Sequence, residues 1–287
     1  MHLWNKDIEI RFFEEALKCF ASREQLFYKI DDCFYAYAPK GYSTKGQTLQ
    51  SRNTLIGNFT EKWCKGLMEP IAKKHSMFAV NGVICEELGL TKQSPADLAI
   101  CTKDSIVQKP ENIKLIFEIK MSIVSNYMYN ENVIKYIGDY KTHKGNPSLL
   151  RSDSMLKAIG KSVNIRVSGN KSATIPIVIL GNSPITLNYE EKVAHLTQSG
   201  VIQHFISVNP NPTESEFVKQ SKNKGFITPN DYSELETICD DILKNNYYYF
   251  SGMKNKNELG EIILMASNEK SEIECAEKFL ELIKNKI

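Results

Sequence analysis

Two apolar runs, PADLAI at residues 95–100 and IKLIFEIK at residues 113–120, decide the predicted fold of this 287-residue chain. The segment between them is polar and contains Pro110, which is typical of a loop. Two runs of this kind around a proline-containing loop predict a β-hairpin. We therefore expect Asp97 of the first strand to stand beside Glu118 of the second.

The second strand also carries a lysine on the same face as its acid. Glu118 and Lys120 are two residues apart, so both project to one side, whereas Phe117 and Ile119 point to the apolar side. Two carboxylates on adjacent strands suit a hard divalent cation such as Mg²⁺, with positions left for water and a phosphate oxygen. A nearby lysine can orient or help deprotonate the water, or neutralise charge on the phosphate. The pattern predicts Asp97 and Glu118 as Mg²⁺ ligands in phosphodiester hydrolysis, assisted by Lys120.

An acid-x-lysine tripeptide is common in a charged chain, and two further copies occur at residues 139–141 and 190–192. Neither copy combines an apolar strand with an acid on a preceding strand. The context therefore favours the copy at Glu118. Ordinary charges at the end of a strand are the alternative interpretation.

At Asp97, Glu118 and Lys120 the chain resembles the PD-(D/E)XK nuclease superfamily, and specifically the type II restriction endonucleases. The family pattern is an acid on one strand followed by acid-x-lysine on the next. An alanine separates Pro95 from Asp97 in this chain, where the family name has a direct Pro-Asp pair. The resemblance implies an α/β fold with a restriction-endonuclease-like core, in which helices flank a mixed central sheet.

A helix is predicted upstream of the hairpin, because apolar residues in the stretch 55–68 follow the helical period. Glu61 lies off that apolar stripe. Many restriction enzymes carry a glutamate on such a helix, and the resemblance implies that Glu61 completes or supports the metal site. Glu69 competes for this role, and a solvated helix glutamate is the alternative interpretation of Glu61.

The stretch 121–147, directly after the strand with the acid-x-lysine pattern, is rich in tyrosine, asparagine and lysine and has little sustained periodicity. We expect it to form loops that contact DNA, with Tyr127 and Tyr129 among the contacting residues. A polar surface excursion without such a role is the alternative.

The next segment, 147–161, is predicted to be a helix from a serine cap to a stop at Gly160. Arg151, Lys157 and Lys161 are spaced so that some of them share one face. We expect them to contact DNA phosphates beside the metal site. Solvated lysines on an amphipathic helix are the alternative.

Further along the chain, the pattern is a strand at 175–180, a helix at 189–198 and a strand at 201–208. This order predicts a parallel crossover that extends the sheet begun by the hairpin. We expect a single nuclease domain over 1–287, with the boundaries that follow: an N-terminal helical and aromatic segment at 1–49, a core at about 50–210 and a C-terminal helical region at 211–287.

Composition limits the function class without fixing it. A hydrophobic content of 42% is enough for a sizeable core, and a formal charge of +2 excludes a polybasic, indiscriminate nucleic-acid binder. The seven cysteines contain no Cys-x-x-Cys pair and indicate neither a zinc site nor disulfides. The N-terminus lacks the apolar core of a signal peptide, and no apolar run is long enough to span a membrane. We expect a cytoplasmic protein without membrane contact.

The resemblance implies a Mg²⁺-dependent endonuclease that cuts both strands of a specific DNA sequence. It also implies a homodimer on a palindromic target and a cognate DNA methyltransferase that protects the host. Two alternatives stay open. One is a structure-selective repair or junction nuclease of the same superfamily, and the other is a non-catalytic DNA-binding protein.

Overall fold

A computed structural model describes residues 1–19, 21–43, 49–250 and 255–285 of the chain. The chain forms two compact units, Met1–Tyr247 and Tyr248–Ile287. The predicted C-terminal region 211–287 is divided between them. The single nuclease domain over 1–287 stays a prediction.

Helices and strands both occur in the first unit, whereas the described part of the second unit is helical. In chain order, the first unit contains α1 (Lys6–Cys19), α2 (Arg23–Leu26), β1 (Tyr28–Ile30), β2 (Cys33–Tyr35), α3 (Gln50–Lys74), β3 (Phe78–Val83), β4 (Ala96–Cys101), β5 (Ile113–Lys120), β6 (Asn126–Asn130), β7 (Val133–Gly138), α4 (Ser152–Val167), β8 (Ile177–Gly181), α5 (Leu187–Gln198), β9 (His204–Ser207), β10 (Phe226–Ile227) and α6 (Tyr232–Lys244). The second unit contains α7 (Lys256–Ala266) and α8 (Glu272–Asn285).

The central sheet has six strands in the order β10-β9-β8-β5-β4-β3. Strands β3, β4 and β5 pair antiparallel, whereas β5, β8, β9 and β10 pair parallel. The predicted hairpin of β4 and β5 is therefore confirmed, as is the parallel crossover from β8 through α5 to β9. The structure is an α/β fold with a mixed sheet flanked by helices.

Apolar side chains cover both faces of this sheet. On one face, Leu67 of α3 belongs to the same buried cluster as Leu98 and Phe117 of the hairpin. On the other face, Ile165 of α4 is buried in a cluster with Ile116 of β5. Because each helix buries an apolar stripe against its own face, α3 and α4 are held on opposite sides of the hairpin.

A second sheet has four antiparallel strands in the order β1-β2-β6-β7. It corrects the expectation that 121–147 forms loops, because β6 and β7 lie in that stretch. Glu131 and Asn132 join the two strands, and both have positive φ, 48° and 64°. A two-residue turn with left-handed backbone matches the twist of paired strands, and this makes the hairpin.

Helix α4 corrects a second expectation, since it continues through Gly160 to Val167. A glycine inside a helix costs only about 1 kcal/mol relative to alanine. Burial of Ile165 beyond the glycine offsets that cost. The longer helix brings Lys161 into the body of α4 instead of its end.

Glu9 of α1 is a buried carboxylate that binds the segment after β5. Its Oε1 accepts hydrogen bonds from Trp4 Nε1 at 2.9 Å and the Val124 amide at 2.6 Å. Its Oε2 accepts from the Ser125 amide at 3.1 Å and the Tyr127 hydroxyl at 2.8 Å. Four donors thus converge on one carboxylate and connect α1 to the second sheet.

Cys64, Cys85, Cys101 and Cys239 are free thiols buried in the protein interior. Burial raises the pKa of the Cys101 thiol to about 12, so it stays protonated at neutral pH. In the ranges that the structure describes, no helix combines the length and the apolar character needed to cross a bilayer.

Candidate metal centre

The register of the β4–β5 hairpin brings the predicted acids together. Leu98 is paired with Phe117, which places the preceding residue Asp97 next to Glu118 on the neighbouring strand. Because side chains alternate along a strand, Asp97, Glu118 and Lys120 project from the face opposite Leu98 and Phe117. The sequence pattern alone predicted this convergence.

Lys120 is in contact with both acids. Its Nζ lies 2.5 Å from Glu118 Oε1 and 3.6 Å from Asp97 Oδ2. The Ile119 amide donates to Asp97 Oδ2 at 2.7 Å and so fixes that carboxylate against β5. The side chains of Glu118 and Asp97 are only 5% and 17% exposed. Charges at this distance and depth interact far more strongly than surface ion pairs do.

A second lysine, Lys161 of α4, lies between the same two carboxylates. Its Nζ is 2.9 Å from Asp97 Oδ1 and 2.6 Å from Glu118 Oε2. The side chain of Lys161 is only 17% exposed and is bound to the acids themselves, and its contact with DNA phosphates beside the metal site stays a prediction. The sequence missed the contact with the acids because the helix was expected to stop at Gly160, short of the turn that packs on the sheet.

Burial and charge shift the pKa values of two of these groups. Burial, followed by repulsion from Asp97, raises the pKa of Glu118, and both lysines oppose that shift. Burial alone would lower the pKa of Lys161, but attraction to Asp97 and Glu118 outweighs it and raises the pKa. The cluster therefore consists of two carboxylates with two ammonium groups that compensate their charge.

Glu61 of α3 interacts electrostatically with the cluster. Its main-chain carbonyl accepts a hydrogen bond from Asn81 Nδ2 at 3.1 Å, which ties α3 to β3 at this point. Burial raises the pKa of the half-buried Glu61, repulsion from Asp97 adds to the shift, and Lys161 opposes it. Glu61 is thus within electrostatic range of the acids.

Glu69, the competing helix acid, has different surroundings. It forms an ion pair with Lys73 at 3.0 Å and its side chain is 43% exposed. A hydrogen bond from Lys73 lowers the pKa of Glu69, with a smaller contribution from Lys65. The structure accordingly places Glu61 near the acidic cluster and Glu69 at the surface.

The donor set fits a hard divalent cation. Asp97 and Glu118 offer carboxylate oxygens, and Glu118 Oε2 is buried and has no well-directed hydrogen bond, only the ion pair with Lys161. In the described ranges, no three His, Cys, Asp or Glu side chains are arranged to hold a metal. Mg²⁺ is commonly held by one or two carboxylates plus water and phosphate, so a two-carboxylate site is sufficient. The cation most directly in competition with a metal at this site is the Lys161 ammonium group.

Two of the predicted phosphate contacts, Arg151 and Lys157, lie at the surface near the N-terminal end of α4. Arg151 Nη2 is 3.5 Å and Lys157 Nζ 3.0 Å from Asp153 Oδ2. Both residues line a cavity that is also lined by Lys120. Contact of Arg151 and Lys157 with DNA phosphates stays a prediction.

The two tyrosines predicted to contact DNA lie in different surroundings. Tyr127 is fully buried and its hydroxyl donates to Glu9, so the prediction that it contacts DNA is wrong for lack of exposed surface. Tyr129 is half-buried, stacks on Phe27 with ring centroids 5.4 Å apart, and donates to Asn132 Oδ1. Contact of Tyr129 with DNA stays a prediction.

Comparisons with known proteins do not assign this chain to a family. The chain matches no family model, no curated protein and no solved structure. A function for this chain therefore has to be inferred from the geometry of Asp97, Glu118, Lys120, Lys161 and Glu61.

Proposed function

We propose that this protein is a Mg²⁺-dependent endonuclease with a restriction-endonuclease-like core of the PD-(D/E)XK type. The observation that supports the proposal most is the convergence of Asp97, Glu118 and Lys120 from two neighbouring strands. Asp97 and Glu118 hold the metal, Lys120 acts on the attacking water, and Glu61 assists from α3.

The roles follow from the chemistry of each group. Bound to the two carboxylates, Mg²⁺ supplies positive charge that stabilises the negatively charged transition state. Lys120 donates hydrogen bonds from the edge of that site, where it can orient water towards phosphorus or neutralise charge on a phosphate oxygen. Asp97 is held by the Ile119 amide, so its orientation is fixed before the substrate arrives.

The finer assignment follows the resemblance. We infer a sequence-specific cut of double-stranded DNA in the cytoplasm by a homodimer, with a cognate DNA methyltransferase that protects the host DNA. Two-fold symmetry of the protein would then match a two-fold target. Cleavage of defined duplexes compared with branched DNA separates this enzyme from a junction nuclease.

Plasmid cleavage tests the proposed function. Supercoiled plasmid DNA is incubated with the protein and Mg²⁺, and nicked and linear products are measured. Wild type is expected to cut, and Asp97→Ala to lose about 10²–10³-fold or more in rate because the metal loses a ligand. Asp104→Ala changes an exposed aspartate in the loop after β4 and serves as the control. An inactive wild type, or an undiminished Asp97→Ala, would overturn the proposal.

Lys161→Met is expected to tighten divalent-cation binding on the order of tenfold, which corresponds to about 1.4 kcal/mol. The Lys161 ammonium group contacts the carboxylate oxygens that would bind the metal. Without it, the two carboxylates repel each other until a cation binds. Calorimetric titration with Ca²⁺ measures the affinity, and Lys114→Met at the exposed start of β5 is the control. Unchanged or weaker binding by Lys161→Met would show that Lys161 does not compete with the metal.

A further inference from the structure

A cavity of about 760 Å³ opens beside the candidate metal centre. Lys120 of β5 lines it together with Asp153 and Ser154 from the first turn of α4, and with Arg52 from α3. A cavity of this volume accommodates a group the size of a nucleotide. Lys120 lines the cavity and also contacts Asp97 and Glu118. A ligand in the cavity would therefore lie next to the candidate metal centre.

Arg52 is an unusual residue in the wall of this cavity, because its cation is buried without an anion from the described residues. The residue is only 4% exposed. Its Nη1 donates to the carbonyls of Leu26 and Ala36. Its Cζ lies 5.5 Å and 5.2 Å from the ring centroids of Tyr28 and Tyr37. Its Nε is buried and has no hydrogen-bond partner in the part of the chain that the structure describes.

Two carbonyls and two tyrosine rings stabilise the cation of Arg52, but no described carboxylate balances its charge. Burial lowers the pKa of Arg52, and the groups that oppose the shift are Tyr37 and Tyr28, with no carboxylate among them. A buried cation without a counter-ion is costly to keep in a fold. We therefore expect Arg52 to be balanced by an anionic ligand that binds in the cavity.

The other charged groups that line the cavity are also mainly cationic. Lys120 is bound by Glu118, whereas Arg151 and Lys157 share a single carboxylate, that of Asp153. Together with Arg52, four cations and one carboxylate from the described ranges line the space. The excess of positive charge attracts an anionic ligand.

The start of α4 contributes a second kind of anion receptor. The helix of 16 residues begins at Ser152, and its N-cap residue Arg151 makes no side-chain cap hydrogen bond. The first N–H groups of a helix have no partner within the helix and carry the positive end of its dipole. Ser154 of this first turn lines the cavity. Helix N-termini of this kind bind phosphate groups.

We propose that this cavity is a phosphate-binding pocket that holds the backbone phosphate of the nucleotide next to the cleaved bond. The inference rests on the proposed nuclease function and deepens it. The N-terminus of α4 receives the phosphate together with the exposed side chains of Arg151 and Lys157, and the buried cation of Arg52 attracts it from the wall of the cavity. The pocket thereby sets the path of the DNA from α4 past Lys120 to Asp97 and Glu118.

Asn53→Asp tests the pocket without removing Arg52, whose hydrogen bonds to Leu26 and Ala36 also connect α3 to the second sheet. Asn53 lines the cavity, is exposed, and lies near the start of α3, where an added acid is favourable to the helix. Asn58→Asp makes the same change at an exposed position of α3 outside the cavity lining and is the matched control.

The first measurement is binding of a fluorescently labelled DNA duplex in EDTA, followed by anisotropy. Asn53→Asp is expected to weaken binding about tenfold, because its carboxylate lies in the lining of the cavity and repels the phosphate there, and Asn58→Asp is expected to stay within about twofold of wild type. Equal affinities of wild type and Asn53→Asp would overturn the pocket assignment.

The second measurement separates DNA from free phosphate as the ligand. Inorganic phosphate alone is expected to raise the melting temperature of wild type and of Asn58→Asp, and to raise that of Asn53→Asp less. If Asn53→Asp loses the phosphate effect but binds duplex DNA like wild type, the pocket serves a free anion and the assignment to the DNA backbone is overturned.

Plasmid cleavage keeps this inference distinct from the proposed function. A wild type that cuts plasmid, with DNA binding unchanged in Asn53→Asp, overturns the pocket and leaves the nuclease in place. A wild type that never cuts, but binds phosphate through the pocket, overturns the nuclease and supports only anion binding.

Discussion

Glu118→Gln is expected to lower the rate of Mg²⁺-dependent DNA cleavage by about 10²–10³-fold while the protein stays folded. Glutamine keeps the size of the side chain but removes the charge that binds a cation. The loss also removes the negative partner of Lys120 and Lys161, which lie 2.5 Å and 2.6 Å from its two oxygens. The rate is measured on supercoiled plasmid under single-turnover conditions, with circular dichroism to verify folding.

Glu69→Gln is the matched control for this prediction. Glu69 lies on α3 at the surface and pairs with Lys73. Its replacement should leave the cleavage rate within about twofold, because surface ion pairs contribute little. If Glu118→Gln cuts as fast as Glu69→Gln, Glu118 is not a ligand of the metal.

Glu9→Ala is expected to lower the free energy of unfolding by about 3–5 kcal/mol. The carboxylate of Glu9 accepts four hydrogen bonds in the protein interior, two of them from the amides of Val124 and Ser125. Without it, the Trp4 and Tyr127 donors also lose their partner while remaining buried. Urea unfolding followed by tryptophan fluorescence gives the change, since Trp4 lies at the site.

Glu14→Ala on the exposed side of α1 is the control, and it should change the free energy of unfolding by less than about 0.5 kcal/mol. A loss below about 1 kcal/mol for Glu9→Ala would mean that the four donors find other partners. The connection between α1 and the segment after β5 would then depend on apolar contacts, with Phe13 against Tyr127 as the first to consider.

The central sheet could be predicted because its strands carry strong periodic signals. In IKLIFEIK, charged residues near both ends enclose an apolar centre, which is typical of a buried strand. The strands at 177–181 and 204–207 flank a helix long enough for a parallel crossover. The alternation of side chains along a strand determined which side Glu118 and Lys120 share. Those parts of the site followed from local sequence and strand geometry alone.

The second sheet was missed for a physical reason. Its β6–β7 turn is formed by Glu131 and Asn132 in the left-handed region, and glutamate is not a residue that signals such a turn. Without that signal, a polar, tyrosine-rich stretch with little sustained periodicity indicates loops. The contact between Tyr127 and Glu9 is between residues 118 positions apart, and no local pattern encodes it.

Lys161 shows the limit of local signals within the site itself. Its distance to Asp97 depends on how α4 packs over the sheet, through Ile165 in the cluster that contains Ile116. The relevant clue was that apolar spacing continues beyond Gly160 to Ile165, which favours a longer helix. Glu61, in contrast, was singled out by family resemblance, and its position near Asp97 depends on the packing of α3.

Calorimetric titration of the metal-free protein with Mg²⁺ tests the central claim most directly, because it measures cation binding without DNA or catalysis. Wild type is expected to bind the cation, and the Asp97→Asn/Glu118→Gln double variant to lose that binding while keeping its circular dichroism spectrum. Equal binding by the two proteins, or no binding by wild type, would contradict a metal centre at Asp97 and Glu118.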